Sequence, residues 1–391
     1  MPGFELIGKE ERNAVIDVFD KSNGVLFAHG FDERRNHIFR VRDFEKDFAN
    51  KLGSGFAAAC TSGTSAQYIA MKAMGIKPGD EVITQSFTFI ATIEAILACG
   101  AVPIVVDIND TYNLDPVEFE KAITSKTKMV VPVHMLGNPA EMKEINKIAK
   151  RNNILVLSDA CEALGALYKG NSTAYLGDAA VFSLDFGKTI TAGEGGMITS
   201  KDKNLITKTL NFIDHGHENN PDFPRGCDTA SFFGFNFRMT ELQAAVGLEQ
   251  LKKLDFIVET NRKNKAIIKN IISESINIKF RRITDQNELA DTIIFNFETK
   301  KLAEKCVENL AKVGVGTKNI PDAMKWHFNK YFTQIWNNTS YYKNHETAWA
   351  KSDELLTRSV SLPVMVNWSE DDCKIFGHKV LKVVESVTNN I

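Results

Sequence analysis

Short apolar runs alternate with amphipathic stretches between about residues 55 and 160. The runs predicted to be strands are GFAAAC at 55–60, DEVITQ at 80–85, VPIVVD at 102–107, KMVVPV at 128–133 and ILVLSDA at 154–160. The intervening segments, such as PAEMKEINKIAKRN at 139–152, have the apolar spacing of helices. Buried strands that alternate with helices are typical of a mostly parallel sheet in a three-layer α/β fold. Ligands of such folds bind beyond the carboxyl ends of the strands.

The alternation fades after two further predicted strands, AAVFSLD and GGMITS. A long helical stretch follows from about residue 240 to 272, and the remainder mixes strands such as IIFNFE with helices such as LAEKCVENLAKVG. We therefore predict a large α/β domain over residues 1–250 and a smaller α+β domain over residues 251–391. The boundary is placed near a helix that crosses from one domain to the other.

Composition excludes several classes of protein. Among the 391 residues, 43% are apolar and 25% are charged, and 47 Lys and Arg face 49 Asp and Glu. A formal net charge of -2 gives no support to nucleic-acid binding or to a disordered chain. None of the six cysteines forms a CxxC pair, which argues against a zinc site or a disulfide framework. With no signal-peptide pattern and no apolar run of about 20 residues, we expect a cytoplasmic protein that is not bound to a membrane or a metal.

Lys188 is the first candidate for chemistry. It lies in SLDFGKTITAGEGG, between the predicted strand AAVFS and a glycine-rich segment. A lysine at such a strand end can be a nucleophile or a phosphate ligand, whereas most loop lysines are simply solvated. The tripeptide GKT at 187–189 resembles the end of a Walker A loop, but that motif needs a glycine where Phe182 stands. The P-loop interpretation is therefore excluded.

Two further features, taken together with Lys188, indicate the kind of ligand that the site binds. Asp159 lies at the carboxyl end of a predicted strand, where it either caps the next helix or faces a ligand. Residues 62–64, Ser-Gly-Thr, open a helix and serve either as a plain cap or as an anion site. Together the three features offer a phosphate anchor, a carboxylate for a pyridine nitrogen and an amine for a Schiff base. Pyridoxal phosphate (PLP) requires these groups.

On its motifs, the chain resembles the DegT/DnrJ/EryC1/StrS sugar aminotransferases, which are fold type I PLP enzymes with an aspartate aminotransferase-like fold. The motifs that carry the resemblance are SGTSA at 62–66, FTFIAT at 87–92, PVHMLG at 132–137, SDACEALGA at 158–166, S-x4-K-x4-GEGG at 183–196 and GFNFRMTELQAA at 234–245. The resemblance implies that Lys188 forms the Schiff base and that Asp159 pairs with the pyridinium. It also implies that Gly63, Thr64 and Ser183 hold the phosphate.

The resemblance implies further contacts. Phe89 is expected to stack on the cofactor ring, and Glu162 stands beside its 3′-oxygen, where the family often has Gln. Asn236 is expected to reach the phosphate bound by a neighbouring subunit, and Arg238 to line the same pocket. The resemblance thereby implies a homodimer with shared active sites. Asp185, in Ser-Leu-Asp where the family has Ser-Phe-His, either shapes the substrate pocket or packs locally.

The implied reaction is a two-stage transamination. L-Glutamate gives its amino group to PLP, the PMP form then aminates a sugar carbonyl, and Lys188 shuttles the proton. Some relatives have His in place of the lysine and dehydrate a sugar, so Lys188 favours transamination over dehydration. A non-catalytic regulator with this fold is the remote alternative, since such proteins usually lose the lysine or add a DNA-binding domain.

The substrate hypothesis depends on two segments, VLFAHGFDERR and DHGHENNPDFPRG. They resemble the branch that aminates C8 of 8-oxo-3-deoxy-manno-octulosonate to give 8-amino-3,8-dideoxy-manno-octulosonate (8-amino-Kdo), a lipopolysaccharide sugar. Arg34 and Arg35 are candidates for binding its carboxylate, unless the arginines form a solvated face. His215 and His327 are candidate sugar contacts, unless they lie in plain surface loops. The alternative substrate is a nucleotide-linked keto-sugar, as in a GDP-perosamine synthase type.

Overall fold

The computed structural model describes residues 3–218, 227 and 233–388. Its strands in chain order are β1 (Phe56–Cys60), β2 (Glu81–Gln85), β3 (Val102–Val106), β4 (Thr127–Val131), β5 (Leu155–Asp159), β6 (Leu167–Tyr168), β7 (Asn171–Ser172), β8 (Ala179–Ser183), β9 (Gly196–Ser200), β10 (Lys279–Phe280), β11 (Thr292–Asn296) and β12 (Ser359–Pro363). Its α-helices are α1 (Lys9–Asp20), α2 (Arg40–Leu52), α3 (Gly63–Ala73), α4 (Ala91–Ala98), α5 (Pro116–Lys121), α6 (Met142–Arg151), α7 (Lys203–Ile213), α8 (Glu241–Lys252), α9 (Leu254–Ile272), α10 (Lys300–Lys312), α11 (Met324–His327), α12 (Thr333–Trp336), α13 (Ala350–Thr357) and α14 (Glu370–Thr388).

A seven-stranded sheet lies at the centre, with the spatial order β1-β9-β8-β5-β4-β2-β3. The pairs from β8 through β5, β4 and β2 to β3 are parallel, whereas β9 runs antiparallel to both β1 and β8. The sheet is therefore mostly parallel, as the alternation of strands and helices predicts. A separate antiparallel sheet of β10, β11 and β12 lies in the C-terminal part.

Helices cover both faces of the central sheet. Along β8, Ala180 and Phe182 belong to one apolar core with residues of α2 and α8, whereas Ala179 and Val181 belong to another core with residues of α3 and α7. Successive strand residues point to opposite faces, so a strand buried on both sides reads as a continuous apolar run. This arrangement confirms the predicted three-layer α/β class.

The long helical stretch predicted at 240–272 consists of two helices that meet at Lys253. The start of α9, including Leu254 and Ile257, lies in the same core as Phe182. Its end, including Ile268 and Ile272, packs into the core of the C-terminal sheet. Because α9 contributes to both cores, the division between residues 250 and 251 stays a prediction.

Gly247 of α8 allows close packing against α2. A Cβ atom at position 247 would lie 2.6 Å from two atoms of the Phe44 ring, which is fully buried. We expect Gly247→Ala to lower the free energy of unfolding by about 1–3 kcal/mol through overpacking, despite the higher helix propensity of alanine. Urea unfolding measures this change. The control is Gly316→Ala, whose added methyl group would meet nothing within 4 Å; equal stability of both variants would contradict the prediction.

Three features that the sequence argues against concern the described part of the chain: a membrane-spanning helix, disulfides and a metal site. There, no helix combines the length and the apolar character needed to cross a bilayer. All six cysteines are described, and each is a free thiol. No cluster of His, Cys, Asp and Glu suited to a metal ion is present among the described residues.

Candidate active site

A cleft of about 420 Å³ opens beyond the carboxyl ends of the parallel strands. Asp159 and Ser183 are the last residues of β5 and β8, and the turn after β1 leads directly into α3. The structure brings eight predicted site residues together in the lining of this cleft: Gly63, Thr64, Phe89, Asp159, Glu162, Ser183, Lys188 and His327.

The Asp159 carboxylate lies at the bottom of the cleft and is only 3% exposed. Its Oδ2 accepts a hydrogen bond from Gln67 Nε2 at 2.9 Å, and its Oδ1 accepts one from the Cys161 backbone N–H at 3.0 Å. Burial has the largest effect on this group and raises the pKa of Asp159, although the hydrogen bond from Cys161 and the charge of Lys188 oppose it. A cationic N–H group beside the carboxylate would therefore stabilise its anionic form. A pyridinium nitrogen supplies such a group.

Lys188 faces two carboxylates across the cleft. Its Nζ lies 3.9 Å from Glu162 Oε1 and 4.0 Å from Asp185 Oδ2. Burial alone would lower the pKa of Lys188, but the neighbouring negative charge, chiefly that of Glu162, raises it above its ordinary value. The amine is therefore protonated at neutral pH in the absence of a cofactor, and it must lose this proton before it can act as a nucleophile or a base.

Glu162 is an anion in this arrangement. Burial acts to raise the pKa of Glu162, but Lys188 and His327 outweigh it and the pKa is lowered. Its Oε2 accepts the Leu136 backbone N–H at 3.0 Å. Glu162 thus serves as an acceptor here, whereas a Glu that donates to the cofactor's 3′-oxygen would have to be protonated.

The start of α3 forms a cradle next to Ser183. Ser62 caps the helix, since its side chain accepts the backbone N–H of Ser65. A Cβ atom on Gly63 would lie 2.7 Å from the Ser183 Cβ, so glycine leaves room that a methyl group would fill. The backbone N–H groups of Gly63 and Thr64 have no partner inside the helix, and with the Thr64 and Ser183 hydroxyls beside them they suit a phosphate.

Phe89 and His327 form one wall of the cleft. Their ring centroids are 5.3 Å apart. Because a carbonyl oxygen can only accept, His327 Nδ1 carries a proton and donates it to Ala323 O at 2.9 Å. Its Nε2 lies 3.8 Å from Glu162 Oε1. Burial, the largest effect, lowers the pKa of His327, and Glu162 opposes this shift.

Three residues in or beside the cleft are not indicated by the motifs: Gln67 and Asn319 line it, and Thr92 contacts Asp159. Gln67 and Thr92 both donate towards Asp159 Oδ2, at 2.9 and 3.4 Å. Gln67 follows Gly63 by four residues on α3, so helical spacing alone could have placed it on the same face. Asn319 lies in the lining at a positive φ of 66°, and the local sequence gives no signal for its position.

The other five predicted residues lie outside the lining of this cleft: Arg34, Arg35, His215, Asn236 and Arg238. Arg238 pairs with Asp214 and lies over the Phe27 ring at 5.0 Å. His29 Nε2 also lies 2.9 Å from Asp214. Asn236 pairs with Asp214 in an isolated β-bridge. We call the region formed by Phe27, His29, Asp214, His215, Asn236 and Arg238 the Asp214 surface.

Arg35 requires a correction. Its guanidinium is completely buried, lies 3.4 Å from Glu241 and donates to Phe27 O at 2.6 Å. It thereby ties the N-terminal segment to the start of α8, and a side chain covered in this way does not meet a substrate in its own cleft. Arg34 is exposed. Of the segment DHGHENNPDFPRG, residues 219–226 lie outside the described residues.

His134 lies beneath the cleft and is fully buried. Its Nδ1 accepts the Ala140 backbone N–H at 2.9 Å, so Nε2 carries the proton and donates to Ser158 Oγ at 2.7 Å. Burial lowers the pKa of His134 to about 3, well below the value of about 6.5 in an unfolded chain. Below pH 6.5 the unfolded chain therefore binds a proton at His134 that the folded protein does not bind. The free energy of unfolding falls as the pH drops from about 6.5 towards 3.

We expect His134→Gln to remove this part of the acid sensitivity. Between pH 6.5 and 5, the wild-type protein should lose up to about 2 kcal/mol more unfolding free energy than the variant. Urea unfolding of both proteins at the two pH values gives this difference. The same loss in both proteins would show that His134 is not the group that titrates.

The residues of the cleft fit PLP. The buried Asp159 carboxylate suits a pyridinium N–H, the start of α3 suits a phosphate, and the Lys188 amine lies in the same cleft. Gln67 Oε1 is buried and has no hydrogen-bond partner within the described residues, so it can accept a further hydrogen bond beside Asp159.

Comparison with known proteins agrees with this chemistry. The family model described as the DegT/DnrJ/EryC1/StrS aminotransferase family matches residues 36–381. GDP-perosamine synthase of Caulobacter vibrioides is 46% identical over 219 residues, which cover 55% of this chain and 57% of that protein. An uncharacterized protein of Methanocaldococcus jannaschii is 32% identical over 393 residues, which cover 97% of this chain and 96% of that protein.

A solved structure with a similar fold contains the PMP form of the cofactor. NtdA from Bacillus subtilis, with bound cofactor PMP, has a TM-score of 0.82 and 26% identity, covering 97% of this chain and 83% of that chain. The fold type I prediction is thereby confirmed. With 346 consecutive residues spanned by the family match, from 36 to 381, the chain belongs to the DegT/DnrJ/EryC1/StrS aminotransferase family.

Proposed function

We propose that the protein is a PLP-dependent aminotransferase that moves an amino group from L-glutamate to a carbonyl of a sugar. The observation that carries this proposal is the placement of the Lys188 amine in one cleft with the buried Asp159 carboxylate and the start of α3. PLP, when bound, supplies an electron sink for the carbanion formed at the amine-bearing carbon.

The residues of the chain have separate tasks in this proposal. Gly63, Thr64 and Ser183 bind the phosphate and fix the ring in position. Asp159 holds a proton on the pyridine nitrogen, and Phe89 covers one ring face. Lys188 carries a proton between the two carbons that exchange it.

Active sites shared between two copies of the chain are part of the proposal. The Asp214 surface carries Asn236, which does not line the cleft of its own chain. Large aromatic side chains are exposed nearby, with Phe233 72% and Phe31 60% accessible. An exposed apolar area beside polar groups suits a second copy of the chain. Asn236 and Arg238 would then reach the partner's cleft.

Mixing two inactive variants tests this arrangement. If Asn236 acts across the interface, Lys188→Ala chains mixed with Asn236→Ala chains form hybrid dimers with one intact site. Random re-assembly should then restore about one quarter of the wild-type activity, because half the dimers are hybrids. The mixture should show no recovery if Asn236 acts within its own chain, and sedimentation should find no active monomer.

Two sugar substrates remain candidates. The resemblance of VLFAHGFDERR and DHGHENNPDFPRG to the octulosonate branch supports 8-oxo-3-deoxy-manno-octulosonate as the acceptor. The 46% identity with a GDP-perosamine synthase supports a nucleotide-linked keto-sugar instead. Arg35 is paired with Glu241 and buried, so it does not bind the carboxylate of this sugar. The exposed Arg34 would have to bind that carboxylate, either in its own chain's cleft or in the partner's cleft.

The decisive experiment separates the two half-reactions. L-Glutamate should bleach the visible absorbance of the PLP-loaded protein and release 2-oxoglutarate. The loaded protein is then offered aldehydo- and keto-sugars with and without a nucleotide, and the aminated product is identified by mass. A protein that binds PLP but shows no change with any amino donor would contradict the aminotransferase proposal and favour a non-catalytic regulator.

A further inference from the structure

The first described residues contact the loop that carries Lys188. Gly3–Leu6 forms a short 3-10 turn, and the Gly3 backbone N–H donates to the Lys188 carbonyl at 2.9 Å. On its other side, the Lys188 N–H donates to Asp185 O at 3.1 Å. The peptide groups on both sides of the lysine Cα are thus held, one of them by a segment 185 positions away in the chain.

The Gly3–Leu6 turn packs closely against the backbone of Lys188. A Cβ atom on Gly3 would lie 2.7 Å from the Lys188 carbonyl oxygen, so a larger residue would push the two backbones apart. Next to it, the rings of Phe4 and Phe186 stack with centroids 5.4 Å apart and an interplanar angle of 23°. Phe186 lines the cleft, so the contact extends to its mouth.

The turn is itself fastened to distant parts of the protein. Glu5 Oε2 accepts the backbone N–H groups of Val366 and Asn367, both at 3.1 Å. Lys253 Nζ donates to Leu6 O at 2.7 Å. The Glu5 side chain is partly buried, and this burial raises the pKa of its carboxyl group. The turn therefore has fixed points of its own from which it can restrain the lysine loop.

A second connection reaches the same loop further along. Gln250 Oε1 accepts the Thr191 backbone N–H at 3.4 Å, and Gln250 Nε2 donates to Glu11 Oε1 at 2.8 Å. Glu11 in turn pairs with Lys253 at 2.6 Å. The loop is thus tied at Lys188 and at Thr191 to the same N-terminal region.

We propose that Gly3–Leu6 is a clamp that positions Lys188, and we call it the N-terminal clamp. The proposal rests on the function of Lys188 proposed above. The clamp residues are positioning residues, because Gly3, Phe4 and Glu5 act through the backbone and loop of Lys188. A nucleophile that is displaced by about 1 Å can lose on the order of 100-fold in rate, so restraint of this loop matters for the reaction.

The test compares Gly3→Ala and Glu5→Ala with two reference variants. Glu5→Gln keeps an oxygen that can accept both N–H groups and should restore wild-type behaviour. Glu308→Ala makes the same change as Glu5→Ala at an exposed position of α10 and should have no effect. Two readouts are used: hydrogen exchange of residues 185–191 in the cofactor-free protein, and the rate at which added PLP becomes reducible onto Lys188 by borohydride.

We expect both alanine variants to exchange faster in the loop and to attach PLP about 10- to 100-fold more slowly, with kcat reduced and the KM for glutamate little changed. Unchanged exchange in both variants would overturn the clamp. Faster exchange with wild-type attachment and kcat would also overturn it, because the contact would then be merely structural. If the wild-type protein never attaches PLP, the proposed function fails, and the exchange data alone decide whether the turn holds the loop.

Discussion

Lys188→Ala should abolish covalent attachment of PLP and reduce transamination at least about 1000-fold. The variant loses both the amine that bonds the cofactor and the group that moves the proton. The folded structure should persist, because the surrounding loop is held by backbone hydrogen bonds such as Gly3 N–H to Lys188 O. Borohydride reduction followed by peptide mass measurement reports attachment, and the glutamate half-reaction reports activity.

A matched substitution separates the effect of this lysine from that of a lost charge. Lys382→Ala removes an exposed lysine of α14 and should leave both measurements unchanged. Circular dichroism of the two variants should match that of the wild-type protein. Turnover of Lys188→Ala close to the wild-type rate would remove the basis of the proposed function.

Asp159→Asn should keep PLP bound but lower kcat by on the order of 100-fold or more. The neutral amide no longer holds a proton on the pyridine nitrogen, so the ring is a poorer electron sink. The substitution preserves shape and can keep the hydrogen bond from Cys161. Gln67 can rotate its amide to suit the new group, because its Oε1 has no partner within the described residues.

The measurement must distinguish lost chemistry from lost binding. Equilibrium titration with PLP should give a dissociation constant that changes far less than kcat. Gln67→Ala serves as a comparison, since it removes a donor to Asp159 while leaving the carboxylate in place. If Asp159→Asn turned over like the wild-type protein, its carboxylate could not be the partner of the ring nitrogen.

The strands and most helices were predictable because their signals are local. A strand that is buried on two faces reads as a continuous apolar run, such as VPIVVD. A helix that is buried on one face, such as α6, shows apolar residues at helical spacing. The reversed direction of β9 could not be predicted, since all of Gly196–Ser200 is buried and the run reads like a parallel strand. The sequence also gives no signal for the break at Lys253, because no Gly or Pro interrupts the helical pattern there.

Site residues were likewise predictable where their signals are local and not where their partners are distant in sequence. Lys188, Asp159 and Gly63 lie at element ends, where motifs and strand termini reveal them. Arg35 could not be placed, because the sequence does not show that Glu241, more than 200 positions away, would bury its guanidinium. A cluster of arginines looks the same in sequence whether it binds a ligand or ties two segments together.

The shared helix α9 has a consequence for how the chain unfolds. Its first turns complete the core beneath the central sheet, and its last turns complete the core of the C-terminal sheet. Melting either core would expose the apolar face of a helix that the other core needs. We therefore expect a single cooperative transition on heating, and no stable fragment from a chain cut within α9.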